Sequence, residues 1–473
     1  MLPRNRCVRI CPVPMRMADM AVDTADEVIG EASGRPASPP GYPLLGVAPQ
    51  IRRDPLGFFV KMAREYGDVV DLNVAGKRMV LANEPTLIRQ VLQANAGNYR
   101  KSKFYGPLKP IGTGLLTSEG EQWVEQRKAA APAFKGSEMG KICAAMADEA
   151  DTTLAGWAAR GQADEPLDVA REMMRLALRI AMRTLFGSPL REDTASKVSD
   201  ALAVALRHAE ERIWSVASPP LWVPTPGNRA FARAITQLDE VFEDIISARK
   251  SSGERPGDLL DLLIDAFDDD RPQLRDMVVS MLVTGHETTA VSLAWAFYLL
   301  SRNPEWAEAV RSEANEVLGS DTPDIQALRG LRVTRAVFEE AMRLYPPVWT
   351  FSRDALSPER LGNVELRKGD TVMVCAYSLH RHPRLWESPE TFMPQRFLNN
   401  EGQNRTNYNY LPFGGGPRSC IGNRFAMTEA TIILAKTLQR FDLDLVDGHA
   451  VEPEPMITLR PRFGMLMRPR AVA

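Results

Sequence analysis

Apolar residues recur at three- and four-residue intervals over long stretches of this chain, the period of a helix with one buried face. Met139–Arg160, Pro166–Phe186 and Ala230–Arg249 carry the pattern most clearly. Alternation with period two is scarcer. Val69–Val74 and Arg78–Ala82 flank Ala75-Gly76-Lys77 and predict an early hairpin. Thr371–Ala376 predicts another strand, and Ile457–Leu459 with Met465–Met467 a late one. The expectation is a mainly α body with small β-sheets at its margin. One segment, Met277–Leu300, is apolar enough to suggest a membrane span. At its centre stands Thr284-Gly285-His286-Glu287-Thr288-Thr289, which is costly in lipid. A long helix buried in protein, with a polar interruption facing a cavity, fits better.

Composition narrows the function classes. The 473 residues would fill about three average domains, and a net charge of −2 gives no attraction to nucleic acid. Five cysteines at 7, 11, 143, 375 and 420 form no paired framework, which suits a reducing, cytoplasmic setting. Residues 1–37 read as an extension without the apolar run of a signal peptide or membrane anchor. Pro39-Pro40-Gly41-Tyr42-Pro43 then marks the start of the globular part.

Candidate chemistry concentrates near the C-terminus in Phe413-Gly414-Gly415-Gly416-Pro417-Arg418-Ser419-Cys420-Ile421-Gly422. Its glycines let backbone approach a flat object closely, and Arg418 sets a fixed cation two residues before a sulfur. A helix beginning at Asn423 aims backbone N–H groups the same way. Read alone, Cys420 is a ligand or an ordinary buried cysteine beside a turn. Glu340 and Arg343 share a helix face ahead of Pro346-Pro347, and as a surface pair they would contribute about 0.3–0.5 kcal/mol. Trp123 and Arg127 stand one turn apart, a spacing suited to a cation–π contact.

Together these segments resemble the cytochrome P450 family. The cysteine loop is similar to that family's heme signature at Phe413, Gly416, Arg418, Cys420 and Gly422. The resemblance implies the P450 fold for 38–473 as a single domain of the soluble bacterial type, with a long buried distal helix over the heme. It implies heme b held by the Cys420 thiolate. Gly285, Glu287 and Thr288 resemble the distal-helix motif, in which Thr288 hydrogen-bonds the activated oxygen and Glu287 feeds it protons. Thr284 departs from the alanine or glycine usual there. Glu340, Arg343 and Arg396 resemble the family's structural ionic triad. Trp123, Arg127, Arg418 and Arg353 are expected on the heme carboxylates.

The implied activity is insertion of one oxygen atom of O2 into a small lipophilic molecule: a terpene, steroid, fatty acid or polyketide. Four stretches are expected to line the pocket: Phe104–Leu116, Met281–Thr289, Val348–Phe351 and Met456–Leu459. From these, Phe104, Leu115, Met281, Thr284, Thr289, Val348, Trp349, Phe351, Ile457 and Thr458 are the named candidates. Ile213–Pro224 would roof it. Separate electron donors, a ferredoxin or flavodoxin with a reductase, are implied. They are expected on the positive patch of Arg127, Lys128, Arg418 and Arg424. A peroxide-driven peroxygenase and a non-catalytic heme sensor are the alternatives, and the Glu287-Thr288 pair disfavours both.

Overall fold

The computed structural model describes residues 37–473 apart from 163–164, 189–191, 214, 216–217, 320–322, 399–407 and 473. The N-terminal extension with Cys7 and Cys11, and Trp214 of the expected roof, therefore lie outside the described residues. The chain divides into two compact units. Of the described residues, one unit holds those up to Arg100 with Thr350–Phe392 and 408–411, and the other those of 101–349, 393–398 and 412–472.

The smaller unit is built on a sheet. Val69–Val74 and Lys77–Ala82 pair antiparallel in the register Val69↔Ala82 to Val74↔Lys77. Ala75 and Gly76 turn the corner at φ 50° and 79°, the left-handed pair that a two-residue hairpin of this twist requires. Lys77–Ala82 then pairs in parallel with Thr371–Cys375, which pairs antiparallel with Thr350–Ala355. Val80, Val372 and Val374 point into the core beneath the sheet, with Ile88, Val91 and Leu411.

The larger unit is helical. Gly136–Gln162, Val169–Leu185, Glu192–Ile213 and Pro226–Ser252 precede a 32-residue central helix, Arg271–Arg302. Asp270 caps that helix by accepting from Gln273 N–H at 3.1 Å, and Pro272 fits its first turn. Asn303 and Pro304 end it. The helix packs against Val169–Leu185, Arg332–Leu344 and Asn423–Arg440, which bury most of its length. Among the described residues no helix is long and apolar enough to cross a membrane.

The late strand starts two residues beyond the expected Ile457. Pro453–Pro455 pairs antiparallel with Leu459–Pro461, so Met456, Ile457 and Thr458 are spent turning that hairpin. Leu466–Ala471 pairs separately with Phe441–Leu445 and with Leu167–Asp168.

Candidate active site

The cysteine loop is a folded cradle. Gly414 and Gly416 take φ values of 65° and 67°, closed to side chains with a Cβ, and Cys420 N–H donates back to Phe413 carbonyl at 2.9 Å. Gly422 packs close to the Phe134 ring, where any added Cβ would sit in contact. The Cys420 side chain is exposed, yet dense protein mass around it pushes the thiol pKa up. The Gly422 N–H and the Arg127 charge pull the other way. Cys143 and Cys375 differ, because burial pushes both up to about 11 and leaves them inert.

Two guanidiniums share one indole beside the loop. Arg418 lies 4.4 Å and Arg127 5.7 Å from the Trp123 ring centroid. Arg127 also donates to Ser419 carbonyl at 3.1 Å, and burial lowers its pKa against the pull of Cys420. Arg418 meets Glu119 at 2.5 Å and Ser118 carbonyl at 3.2 Å. Glu119 is a site residue that carried no sequence signal. Its second oxygen accepts from Lys101 N–H at 2.8 Å, so one carboxylate fixes both the cation and the backbone at Lys101.

The expected triad is assembled. Glu340 Oε2 accepts from Arg343 Nε at 2.7 Å and Oε1 accepts from Arg343 Nη2 at 2.8 Å. Oε1 also accepts from Met393 N–H at 2.8 Å and lies 3.5 Å from Arg396 Nε. Side-chain exposures of 0%, 0% and 9% for Glu340, Arg343 and Arg396 exclude the solvated-pair reading. The carboxylate thereby anchors the segment that leads toward the cysteine loop.

The central helix carries the distal candidates. Thr284, Gly285 and Thr288 are half-buried while their neighbours are buried, an i, i+1, i+4 stripe along one open edge. A Cβ at Gly285 would meet nothing within 4 Å, so there is space beside a helix otherwise packed all round. Thr284, Thr288, Thr289 and Ser292 each donate to the carbonyl four residues back, at 2.7, 3.0, 3.3 and 2.9 Å. The helix stays continuous through Gly285. His286 is buried with Nδ1 2.7 Å from Leu282 carbonyl, and burial lowers its pKa, keeping it neutral. Glu287 is buried too, and its Oε1 accepts from Thr458 Oγ1 at 2.6 Å.

A second acid was missed in the sequence. Glu429, nine residues beyond Cys420, is fully buried, and among the described residues neither carboxylate oxygen meets a donor at full hydrogen-bond geometry. Burial pushes its pKa well above the usual carboxylate range, with Thr289 close enough to oppose the shift slightly. Burial therefore favours its protonated form. Its signal was a lone acid in the apolar run Ala426–Ala435.

The remaining pocket candidates are distributed. Phe104, Leu115, Val348 and Ile457 are half-buried, and Met281, Thr289 and Thr458 are buried. Trp349 is fully buried and donates its indole N–H to Met456 carbonyl at 2.7 Å. Phe351 and Arg353 belong to the sheet unit, where Arg353 donates to Ser352 carbonyl at 2.9 Å and lies over the Phe351 ring. The loop after Ile213 is tied by Asn228, which donates to Pro220 and Val223 carbonyls at 2.9 and 2.8 Å.

Residues 36–470 match the sequence model of the cytochrome P450 family. The chain belongs to that family. Cyclooctatin synthase of Streptomyces melanosporofaciens is 34% identical over 435 residues, covering 89% of this chain and 93% of the relative. Cyclooctat-9-en-7-ol 5-monooxygenase of the same organism is 34% identical, covering 87% and 90%. Pentalenene oxygenase of Streptomyces avermitilis is 30% identical, covering 89% and 94%. The helical body with small separate sheets is the P450 fold, and the chain is a P450 enzyme.

The P450 cofactor is heme with a cysteine thiolate, and the residues present fit it. An accessible sulfur ends a glycine cradle, and open space lies beside Gly285. Cys420 is the donor that a single-ligand site needs.

Proposed function

We propose that this P450 is a monooxygenase inserting one oxygen atom of O2 into a neutral, terpene-like molecule with electrons from separate protein donors. The observation that carries the reading is the half-buried stripe Thr284, Gly285 and Thr288 with a buried acid, Glu287, next to it. A sensor needs no such open edge, and a peroxygenase no acid beside the alcohol.

Heme b, held by Cys420, would supply the oxidation chemistry when bound. Trp123, Arg127 and Arg418 would orient its carboxylates, with Arg353 the fourth candidate. Thr288 holds a hydroxyl at the open edge, where it can pass a proton or accept a hydrogen bond. Glu287 supplies protons to it, and Glu429, whose pKa burial raises, stands close to Thr289. The apolar lining of Phe104, Leu115, Val348 and Ile457 excludes water and selects by shape. Two of the relatives are named as oxygenases of pentalenene and of cyclooctat-9-en-7-ol, which favours terpene skeletons here. Donors of the ferredoxin or flavodoxin kind suit the cations Arg127, Lys128, Arg418 and Arg424, and the cytoplasm is the setting.

The test is a panel of pentalenene, cyclooctat-9-en-7-ol, a fatty acid and a steroid, scored by spin-state shift and by products. A surrogate ferredoxin and reductase supply electrons. Terpene binding with one atom of isotopically labelled O2 in the product is expected. Product formed with hydrogen peroxide but not with the donors would give the reaction to the peroxygenase class.

A further inference from the structure

Neither member of the proposed acid–alcohol pair points at the other. The Thr288 hydroxyl is spent on Thr284 carbonyl at 3.0 Å. The Glu287 carboxylate reaches across to Thr458, 171 residues along the chain, at 2.6 Å. Both Glu287 and Thr458 are buried, so this is a hydroxyl-to-carboxylate bond in a low-dielectric setting, the strong kind.

The turn that presents Thr458 is held firmly. Met456 N–H donates to Thr458 carbonyl at 3.1 Å, closing the turn on itself, and Trp349 Nε1 donates to Met456 carbonyl at 2.7 Å. Leu459 N–H donates to Pro347 carbonyl at 2.9 Å, and Trp295 Nε1 to Leu459 carbonyl at 2.8 Å. Trp295 lies eight residues beyond Glu287 on the same helix and stacks on Tyr345 at 3.9 Å. Helix and turn are thus joined at two points, a rigid indole and an exchangeable hydroxyl. Only the second involves a proton-carrying group.

We propose that Thr458 is a positioning residue that parks the Glu287 carboxylate away from Thr288 in the resting protein, so that proton delivery waits until the turn moves. Ile457, half-buried beside it, gives the turn an apolar side chain through which a ligand can press. The inference rests on the function proposed above, but its first readout does not require turnover.

The experiment uses the heme-loaded, ligand-free enzyme. The infrared carboxylate band of Glu287 is isolated by subtracting Glu287→Gln. It is expected to shift in Thr458→Val, which keeps the shape and removes the donor, and to hold in Thr458→Ser. With a surrogate ferredoxin, its reductase and no substrate, peroxide release should rise roughly fivefold in Thr458→Val, the factor of one ordinary hydrogen bond. Thr458→Ser should match the parent, and Thr458→Val should add nothing in a Glu287→Gln background. Thr458→Ala serves as a second variant should the valine destabilise the turn. An unmoved band, or a peroxide rise that persists without Glu287, overturns the proposal. A shifted band in a protein that oxidises nothing would instead fault the functional reading.

Discussion

Replacing Glu340 by alanine removes one carboxylate from two buried guanidiniums. The group accepts from Arg343 twice, at 2.7 and 2.8 Å, and from Met393 N–H at 2.8 Å, while Arg396 lies 3.5 Å away. With the side chains of Glu340 and Arg343 at zero exposure, water cannot replace the lost contacts. Breaking one partner out of such a buried set costs about 3–5 kcal/mol. At roughly 1–1.5 °C per kcal/mol for a chain of several hundred residues, melting should fall by about 3–8 °C. The apolar double variant Glu340→Leu with Arg343→Met should recover part of that loss, because no charge is left facing the gap. Circular dichroism melting of the heme-loaded variants measures it, with the thiolate band recorded in parallel. Glu340→Ala should also lose heme during purification, since Met393 and Arg396 steady the segment before the loop. A loss of under about 1 kcal/mol, the value of an exposed pair, would refute the buried-anchor reasoning.

Glu429 predicts a pH effect of definite sign. Its folded pKa is raised by burial, so the stability it allows is complete below the ordinary carboxylate value and is lost as pH climbs through the raised one. Urea unfolding between about pH 5 and 8 should show stability falling by at most about 1.4 kcal/mol per pH unit from this group, a slope that Glu429→Gln flattens. Thr288→Ala should keep the heme and the thiolate band but send more reducing equivalents to peroxide; unchanged coupling in an oxygen-consumption assay would remove Thr288 from the proton path. Donor-limited reduction should slow as salt rises and should lose salt sensitivity in Lys128→Gln with Arg424→Gln, whereas a flat salt response would move donor docking elsewhere.

The parts of this protein legible in its sequence are those set by local rules. The Val69–Ala82 hairpin follows from alternation around a glycine turn, and the central helix from an apolar run too polar at its middle for lipid. The motifs single out Cys420, Glu340, Arg343 and Arg396, and the structure brings the last three together in burial. Glu287 and Thr288 carry a motif as well, but their orientation does not follow from it. The acid's partner, Thr458, comes from a hairpin turn far along the chain, and nothing in local spacing announces such a contact. Glu119 is similarly silent, because its two partners, Arg418 and Lys101, are brought to it only by tertiary packing. The start of the late strand shifted because Pro453–Pro455 pairs with it, which uses Ile457 and Thr458 for the turn.

On the function proposed here, Cys420 delivers a thiolate to heme iron. The carbon-monoxide difference spectrum of the reduced protein tests it most directly. The long-wavelength band of a thiolate-ligated heme is expected, lost on Cys420→Ser and retained in Cys143→Ser and Cys375→Ser. A parent protein showing only the shorter-wavelength band of histidine- or thiol-ligated heme, or a Cys420→Ser variant that keeps the thiolate band, would contradict it.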